Sequence, residues 1–458
     1  MASSFVVRLL AAVCVAGLTV AVAPPALAID PPVIDPGALP PDSTAPEGPM
    51  RSTKECMAAF AREGSVFVDP PWAQNFLRIG EAHKWSTGDG VLVAVIDTGV
   101  NVSARVPAEP GGDFVVDGGD GLQDCDAHGT LVAAQIAGRP APGDGFVGVA
   151  PGARILSIRH MSAAFTPDGR PADPNDPNAS RTAVSIRAMA RAIVHAANMG
   201  ARVINISETA CLKPNEGIDQ AMLGAALRYA VVEKDAVVVA AAGNAGSSGE
   251  GALGSCTQNS GPSPANPGDA FGWSGVQTIV TPAWFVPLVL SVGALTEAGQ
   301  PAEFSMQGPW VGVAAPGERT VSLFGDAPVN ARPGDQGPVD ISGTSFASAF
   351  VAGVVALVRA KFPEMTANQV MDRVVRTARH PGVGRDSAQG YGPVDAVAAL
   401  TWDVPLGPQK PAFPTKPVPP PPPPERPDRG PITLVFAVAG AIAVVGGFGW
   451  LIVRAARR

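Results

Sequence analysis

Six consecutive apolar residues, Val91-Leu92-Val93-Ala94-Val95-Ile96, lie between Gly90 and Asp97. A strand is apolar at every position only when both of its faces are covered, as inside a parallel sheet packed by helices on either side. Similar runs recur at Ala153 to Ile158, Val203 to Ile206, Ala236 to Ala242, Val286 to Val292 and Trp310 to Ala314. Helical stretches at Thr182 to Met199 and Ile218 to Glu233 separate several of them. Alternation of this kind predicts right-handed crossovers between parallel strands. The expected fold is α/β, a mostly parallel sheet flanked by helices, and no internal repeat is apparent.

In such a sheet, ligand chemistry gathers at the carboxyl ends of the strands. Asp97 stands at one of those ends, where a carboxylate serves either as a turn former or as a functional group; the wholly apolar strand before it favours function. His128 opens a second helix in the run Asp126-Ala127-His128-Gly129-Thr130. Of the five histidines, His83 and His195 sit on helix-like stretches and read as solvated. His160 ends a strand and His380 adjoins Pro381 in a turn, which leaves His128 as the candidate base. Asn244 follows Gly243 at another strand end, as a turn residue or as an amide donor to an oxyanion. Finally, Ile341-Ser342-Gly343-Thr344-Ser345 runs into an apolar segment, Ala349 to Phe362, that stops at Pro363. That segment reads as a buried helix with Ser345 in its first turn, where unpaired N–H groups and the helix dipole favour a developing anion. Serine at a helix start is most often a cap. Here the surrounding acid, imidazole and amide select the nucleophile.

The two ends of the chain are of another kind. Residues 1–28 combine Arg8, an apolar run and Ala26-Leu27-Ala28, the pattern of a secretory signal peptide. Residues 432–453 carry no charge and are long enough to span a hydrocarbon core. Arg454, Arg457 and Arg458 follow, so residues 454–458 are expected to stay in the cytoplasm and the body to lie on the other side of the cell membrane. Residues 404–431 are rich in proline and read as a semi-rigid stalk. Residues 29–78 form an arm, with 29–50 extended and a helical turn from Cys56 to Arg62; a helix through Trp72, Phe76, Leu77, Ile79 and Ala82 leads from it into the next domain. The polar insertion from Met161 to Arg181 is expected to be a surface loop, and Thr366 to Gln369 a capping box for a last helix. A net charge of −7 offers no basic patch for nucleic acid. No Cys-x-x-Cys pair is present, and neither a metal nor a cofactor is called for.

The order Asp97, His128, Asn244, Ser345, each at the end of its own element, closely resembles the subtilisin family of serine proteases over about Gly80 to Leu400. The α/β-hydrolase alternative fails, because residue 347 is Ala where Gly-x-Ser-x-Gly needs glycine, and no later histidine is well placed. The resemblance implies that Ser345 is the nucleophile, His128 its base, Asp97 the group that orients His128, and Asn244 with the Ser345 N–H the oxyanion hole. It also implies a protease domain over 79–403 that cleaves protein or peptide substrates. Two places depart from the usual pattern: Glu208-Thr209-Ala210 where Leu-Gly-Gly is common, and Ala349-Phe350 where Pro-His is common. With its leader, arm, stalk and anchor, the chain is similar to the mycosins, membrane-anchored subtilisin-like proteases of mycobacterial type VII secretion systems. That likeness implies partnership with a secretion membrane complex. A rival reading keeps the fold and makes the protein mainly a structural cap or scaffold of that complex. Four cysteines outlast the leader and allow three pairings. Cys211 and Cys256 each follow a strand end beside the same cleft and are paired on that ground, leaving Cys56 with Cys125.

Overall fold

The computed structural model describes residues 29, 31–168, 177–246, 252–263, 265–334, 336–382, 384–413 and 430–456. The leader and most of the stalk fall outside these residues. Seven strands form one sheet: β1 (Leu92–Asp97), β2 (Ala108–Asp113), β3 (Arg154–Arg159), β4 (Val203–Ile206), β5 (Val237–Ala241), β6 (Val289–Leu295) and β7 (Val311–Pro316). Their order is β7-β6-β5-β4-β1-β3-β2, and every pairing is parallel. In register, Ile96 lies between Ile206 and Ile158, and Val93 between Val203 and Ile155. Strands β1, β4, β5 and β6 are buried at every position, which is why their sequences need no alternation. The chain builds β2 and β3 on one side of β1 and then crosses to build β4 to β7 on the other. The carboxyl ends of β1, β4 and β5 therefore meet in the middle of the sheet, where a crossing of this kind leaves a crevice.

The helices are α1 (His128–Ala137), α2 (Pro177–Asn198), α3 (Ala221–Arg228, continued by a π-helical turn over Tyr229–Glu233), α4 (Thr344–Lys361), α5 (Ala367–Arg376) and α6 (Ala396–Thr401). Helix α4 is buried from Thr344 to Arg359 and packs against β4 to β7 and α1. It is apolar and long enough to cross a membrane, yet it is the core helix of the domain. Helix α5 starts in the expected capping box, with Thr366 and Gln369 satisfying each other's backbone N–H. In a separate unit, residues 414–458, the helix α7 (Gly430–Ala456) is apolar over Val438–Ala455, with none of that window buried.

Several expectations fail, each for want of a distant partner in the local sequence. Cys56 to Arg62 forms no helical turn; its backbone is spent on other segments, Met57 N on Cys125 O (2.8 Å) and Phe60 N on Ala331 O (2.9 Å). The helix through Trp72 and Ala82 is two short ones, Trp72–Phe76 and Ile79–Ala82, broken at Arg78 with φ 55°. Arg78 is held there by Asp395, 2.6 and 2.8 Å from its guanidinium. The insertion from 161 to 181 is not all loop: Phe165–Pro167 pairs antiparallel with Met50–Ser52 of the arm, and α2 begins at Pro177. His83 and His195 are half-buried rather than solvated, with His83 Nε2 2.9 Å from Val149 O and His195 Nδ1 2.7 Å from Asp42. Strand β2, Ala-Glu-Pro-Gly-Gly-Asp, was unrecognisable by composition and exists because it lies along β3 at the sheet edge.

The packing of α4 yields a test. A Cβ on Gly353 would stand 2.4 Å from Val149 Cβ, so the helix approaches that loop as closely as it does only without a side chain. Alanine is worth ~1 kcal/mol more than glycine inside a helix. Gly353→Ala should nevertheless destabilise the domain by roughly 1–3 kcal/mol through overpacking, read as a lower urea midpoint.

Candidate active site

Asp97 ends β1 with no accessible surface. Its Oδ1 accepts from Thr98 N at 2.7 Å and lies 2.7 Å from His128 Nδ1. The imidazole arrives there because α1 begins at His128 directly after Ala127, a left-handed residue with φ 58° and no capping side chain. Asp124 takes over the cap. Its Oδ2 accepts from Thr130 N (2.9 Å) and Thr130 Oγ1 (2.6 Å), and its Oδ1 from Thr98 Oγ1 (2.8 Å). Thr98 Oγ1 in turn accepts from Gly129 N at 2.9 Å. A Cβ on Gly129 would lie 2.2 Å from Gly99 O and 3.0 Å from Asp97 Oδ1, so glycine is the residue this approach of helix to strand end admits. Each residue of His-Gly-Thr thus has a separate duty: imidazole, clearance and cap.

Burial alone would push the His128 imidazole down, but the charge and hydrogen bond of Asp97, helped by Glu208, outweigh it and lift the pKa to about 9. Asp124 is itself raised to about 6 by burial, despite the hydrogen bonds from Thr130 and Thr98. This cluster holds its charge at the price of desolvation.

Helix α4 brings Ser345 to the same edge. Ser345 is buried, and its first-turn N–H has no intrahelical acceptor. Its hydroxyl donates to Ser207 O, just past β4, at 3.2 Å. Among the described residues no hydrogen bond joins Ser345 Oγ to His128; the imidazole instead stacks near the next residue, Phe346, with ring centroids 5.3 Å apart. Free enzymes commonly leave this contact open until substrate binds. Asn244, three residues past the end of β5, is fixed through its oxygen, which accepts from Thr344 N (2.9 Å) and Thr344 Oγ1 (3.0 Å). Its amide nitrogen stands beside Gly343, 3.5 Å from where a Cβ would be. All four residues named from the sequence are therefore gathered, three by strand and helix ends that converge and Asn244 by its bond to α4.

One residue of the site was missed as chemistry. Glu208, which the sequence marked only as a departure in the cleft wall, has both carboxyl oxygens buried, with no hydrogen-bond partner among the described residues. Its Oε1 lies 3.9 Å from His128 Nδ1. Burial first, then the charge of Asp97, push its pKa up to about 8. The available signal was its place, two residues beyond a strand that borders β1. Donor atoms of Asp97, His128 and Glu208 lie within 4.8 Å of one another, but Nδ1 is already committed to Asp97.

Cys56 is bonded to Cys125 and Cys211 to Cys256. Cys211 is inside a strand, Thr209–Leu212, and not in the loop beyond one; that strand pairs with Ile279–Thr281 and Ala252–Leu253 in a small second sheet.

An open parallel sheet with an acid–imidazole pair and a helix-terminal serine at its carboxyl edge is the arrangement of a subtilisin-type serine protease. The chain belongs to the subtilase family, whose model matches residues 88–392, and within that family to the mycosins. It is 55% identical to mycosin-1 of Mycolicibacterium smegmatis over 437 residues, 95% of this chain and 96% of that one. The crystal structure of MycP1 from Mycobacterium smegmatis is 57% identical with a TM-score of 0.82, covering 85% of this chain and 100% of that one. A chain in the structure of an intact ESX-5 inner membrane complex is 46% identical with a TM-score of 0.79, covering 92% of this chain and 98% of that one.

The bond between Cys56 and Cys125 ties the arm to the loop that carries Asp124 and Asp126, across 69 residues of sequence. Closing so long a loop restrains the unfolded chain by about 4 kcal/mol. Replacing both cysteines by alanine should lower unfolding stability by an amount of that order, measured by denaturant titration.

Proposed function

We propose that Asp97, His128 and Ser345 act as one catalytic unit of a membrane-anchored endopeptidase that cleaves secreted proteins and works within a type VII secretion complex. The observation that carries this reading is the buried 2.7 Å contact of Asp97 with His128, set at the open amino end of the helix that bears Ser345. In the reaction, Ser345 turns its hydroxyl from Ser207 O toward His128 and attacks the scissile carbonyl. His128 Nε2 takes the proton and later gives it to the leaving amine, while Asp97 holds Nδ1 and stabilises the imidazolium. The Ser345 N–H and the Asn244 amide receive the negative oxygen. Water then hydrolyses the acyl-enzyme by the same steps in reverse.

The relative resolved in the ESX-5 inner membrane complex supports the secretion partnership, since the match extends over nearly the whole of both chains. The apolar window Val438–Ala455 supports a membrane anchor over residues 432–453. On this reading residues 1–28 are the leader, 404–431 the stalk and 454–458 a cytoplasmic tail, with the protease domain, 79–403, outside the membrane. The arm, 29–78, is a permanent brace: it is held by Cys56–Cys125, by the Phe60–Ala331 bridge and by Glu47 against Arg187 at 2.6 Å.

Ser345→Ala and His128→Ala should each reduce turnover by roughly 10⁴- to 10⁶-fold, and the double variant should lose little more, because the residues act together. Asn244→Ala should cost about 10²- to 10³-fold. Cleavage of a peptide library at the wild-type rate by Ser345→Ala would refute the assignment. A Ser345→Ala strain that still secretes would assign the protein's indispensable role to its scaffold. For topology, protease added to spheroplasts should digest the body and spare the tail; a protected body would reverse the orientation.

A further inference from the structure

Glu208 is a buried acid that the triad mechanism does not use. Among the described residues its carboxyl has no hydrogen-bond partner, so an anion there would lie in a poor dielectric without a donor. The groups facing it are mostly acidic: Asp97 from β1, and Asp124 and Asp126 from the loop before α1. His160, past the end of β3, is buried and lowered by that burial, so it adds no lasting positive charge. Arg332, from the hairpin strand Ala331–Gly334, acts against protonation of His128. Among the described residues, the group that favours ionisation of Glu208 is His128 in its protonated form, 3.9 Å away.

We propose that Glu208 is a positioning residue that restrains the catalytic base, its carboxyl and the His128 imidazole holding a single titrating proton between them by exchange with solvent. Two states have the same proton count. In one, Glu208 is a neutral acid and His128 is neutral, with Nδ1–H toward Asp97 and a lone pair at Nε2. In the other, Glu208 is an anion and His128 an imidazolium, reached when the Glu208 proton passes to solvent and Nε2 takes one up. Only the first state can accept the Ser345 proton. Burial of both oxygens favours the first, and the 3.9 Å approach favours the second. Such a pair titrates as a unit, and the imidazole is fully neutral only at a higher pH than it would be alone.

An anion beside the imidazole raises the pH at which it loses its proton. Removing the anion moves the acid limb of activity to lower pH. Because the inference rests on the triad reading, the readout is the rate at which a fluorophosphonate labels Ser345, in the full chain in detergent, from about pH 5 to 10. Glu208→Gln keeps the shape and removes the charge; Glu208→Leu removes the polar group altogether. Both should move the acid limb down by at least about half a pH unit and raise labelling at pH 7 roughly threefold. The gain should vanish at high pH, where His128 is neutral in every form. Neither variant should melt lower than wild type, because each removes an unpartnered buried acid. Folded variants whose acid limb is unmoved, or moves upward, overturn the proposal. If Glu208→Gln fails to fold, Glu208→Leu decides the question by the same limb. A wild-type chain that takes no label at Ser345 overturns the triad reading itself, and this inference with it.

Discussion

A carboxylate with no accessible surface, bonded at 2.7 Å to an imidazole, sets the terms for what surrounds it. Such a charge is tolerated only with fixed donors and a partner cation or dipole. Thr98 N supplies one donor, and the central position of β1 supplies the burial. The imidazole reaches it only because α1 begins on a left-handed residue and continues through a glycine that clears the strand end. Asp124 then caps the helix that Ala127 cannot cap. The polar network under His128 is thus a set of consequences of placing Asp97 where it is.

The placement of Ser345 depends on a different constraint, the burial of α4. A helix buried over sixteen consecutive residues, Thr344 to Arg359, has no freedom to slide or rotate, so its first turn is fixed against the ends of β4 and β5. Ser207 O and Asn244 mark those ends, and both bind the first turn, one at Ser345 and one at Thr344. The first turn of α4 therefore takes its position from the buried helix behind it.

The parts that were legible are those whose information is local. Strand β4 was read at its observed bounds, because an apolar run covered on both faces leaves one interpretation. Asp97, His128 and Ser345 were legible because each lies at the end or in the first turn of a regular element, and Asn244 because it closely follows a strand; their order along the chain is informative. The arm was not, since Phe60 owes its extended backbone to Ala331, far along the chain. Nor was β2, which carries Pro110, Gly111 and Gly112 and pairs only through its partner strand. Glu208 was visible as a residue but not as part of the site. Sequence does not tell which way a side chain turns at a strand end, and here it turns inward beside His128.

The arm bears on the site from two directions. Through Cys56 it is bonded to Cys125, which stands between Asp124, the cap of α1, and Asp126; both carboxylates add negative potential near Glu208. Through Phe60 and Arg62 it holds the hairpin of Ala331–Gly334 and Gly337–Asp340, with Phe60 bridged to Ala331 and Arg62 2.7 Å from Asp340. That hairpin carries Arg332, the cation opposing protonation of His128. Acidic and basic influences on the imidazole are thus both anchored by one segment outside the sheet. Covalently through Cys56 and by backbone through Phe60, the arm is tied to the elements whose charges act on His128 and Glu208.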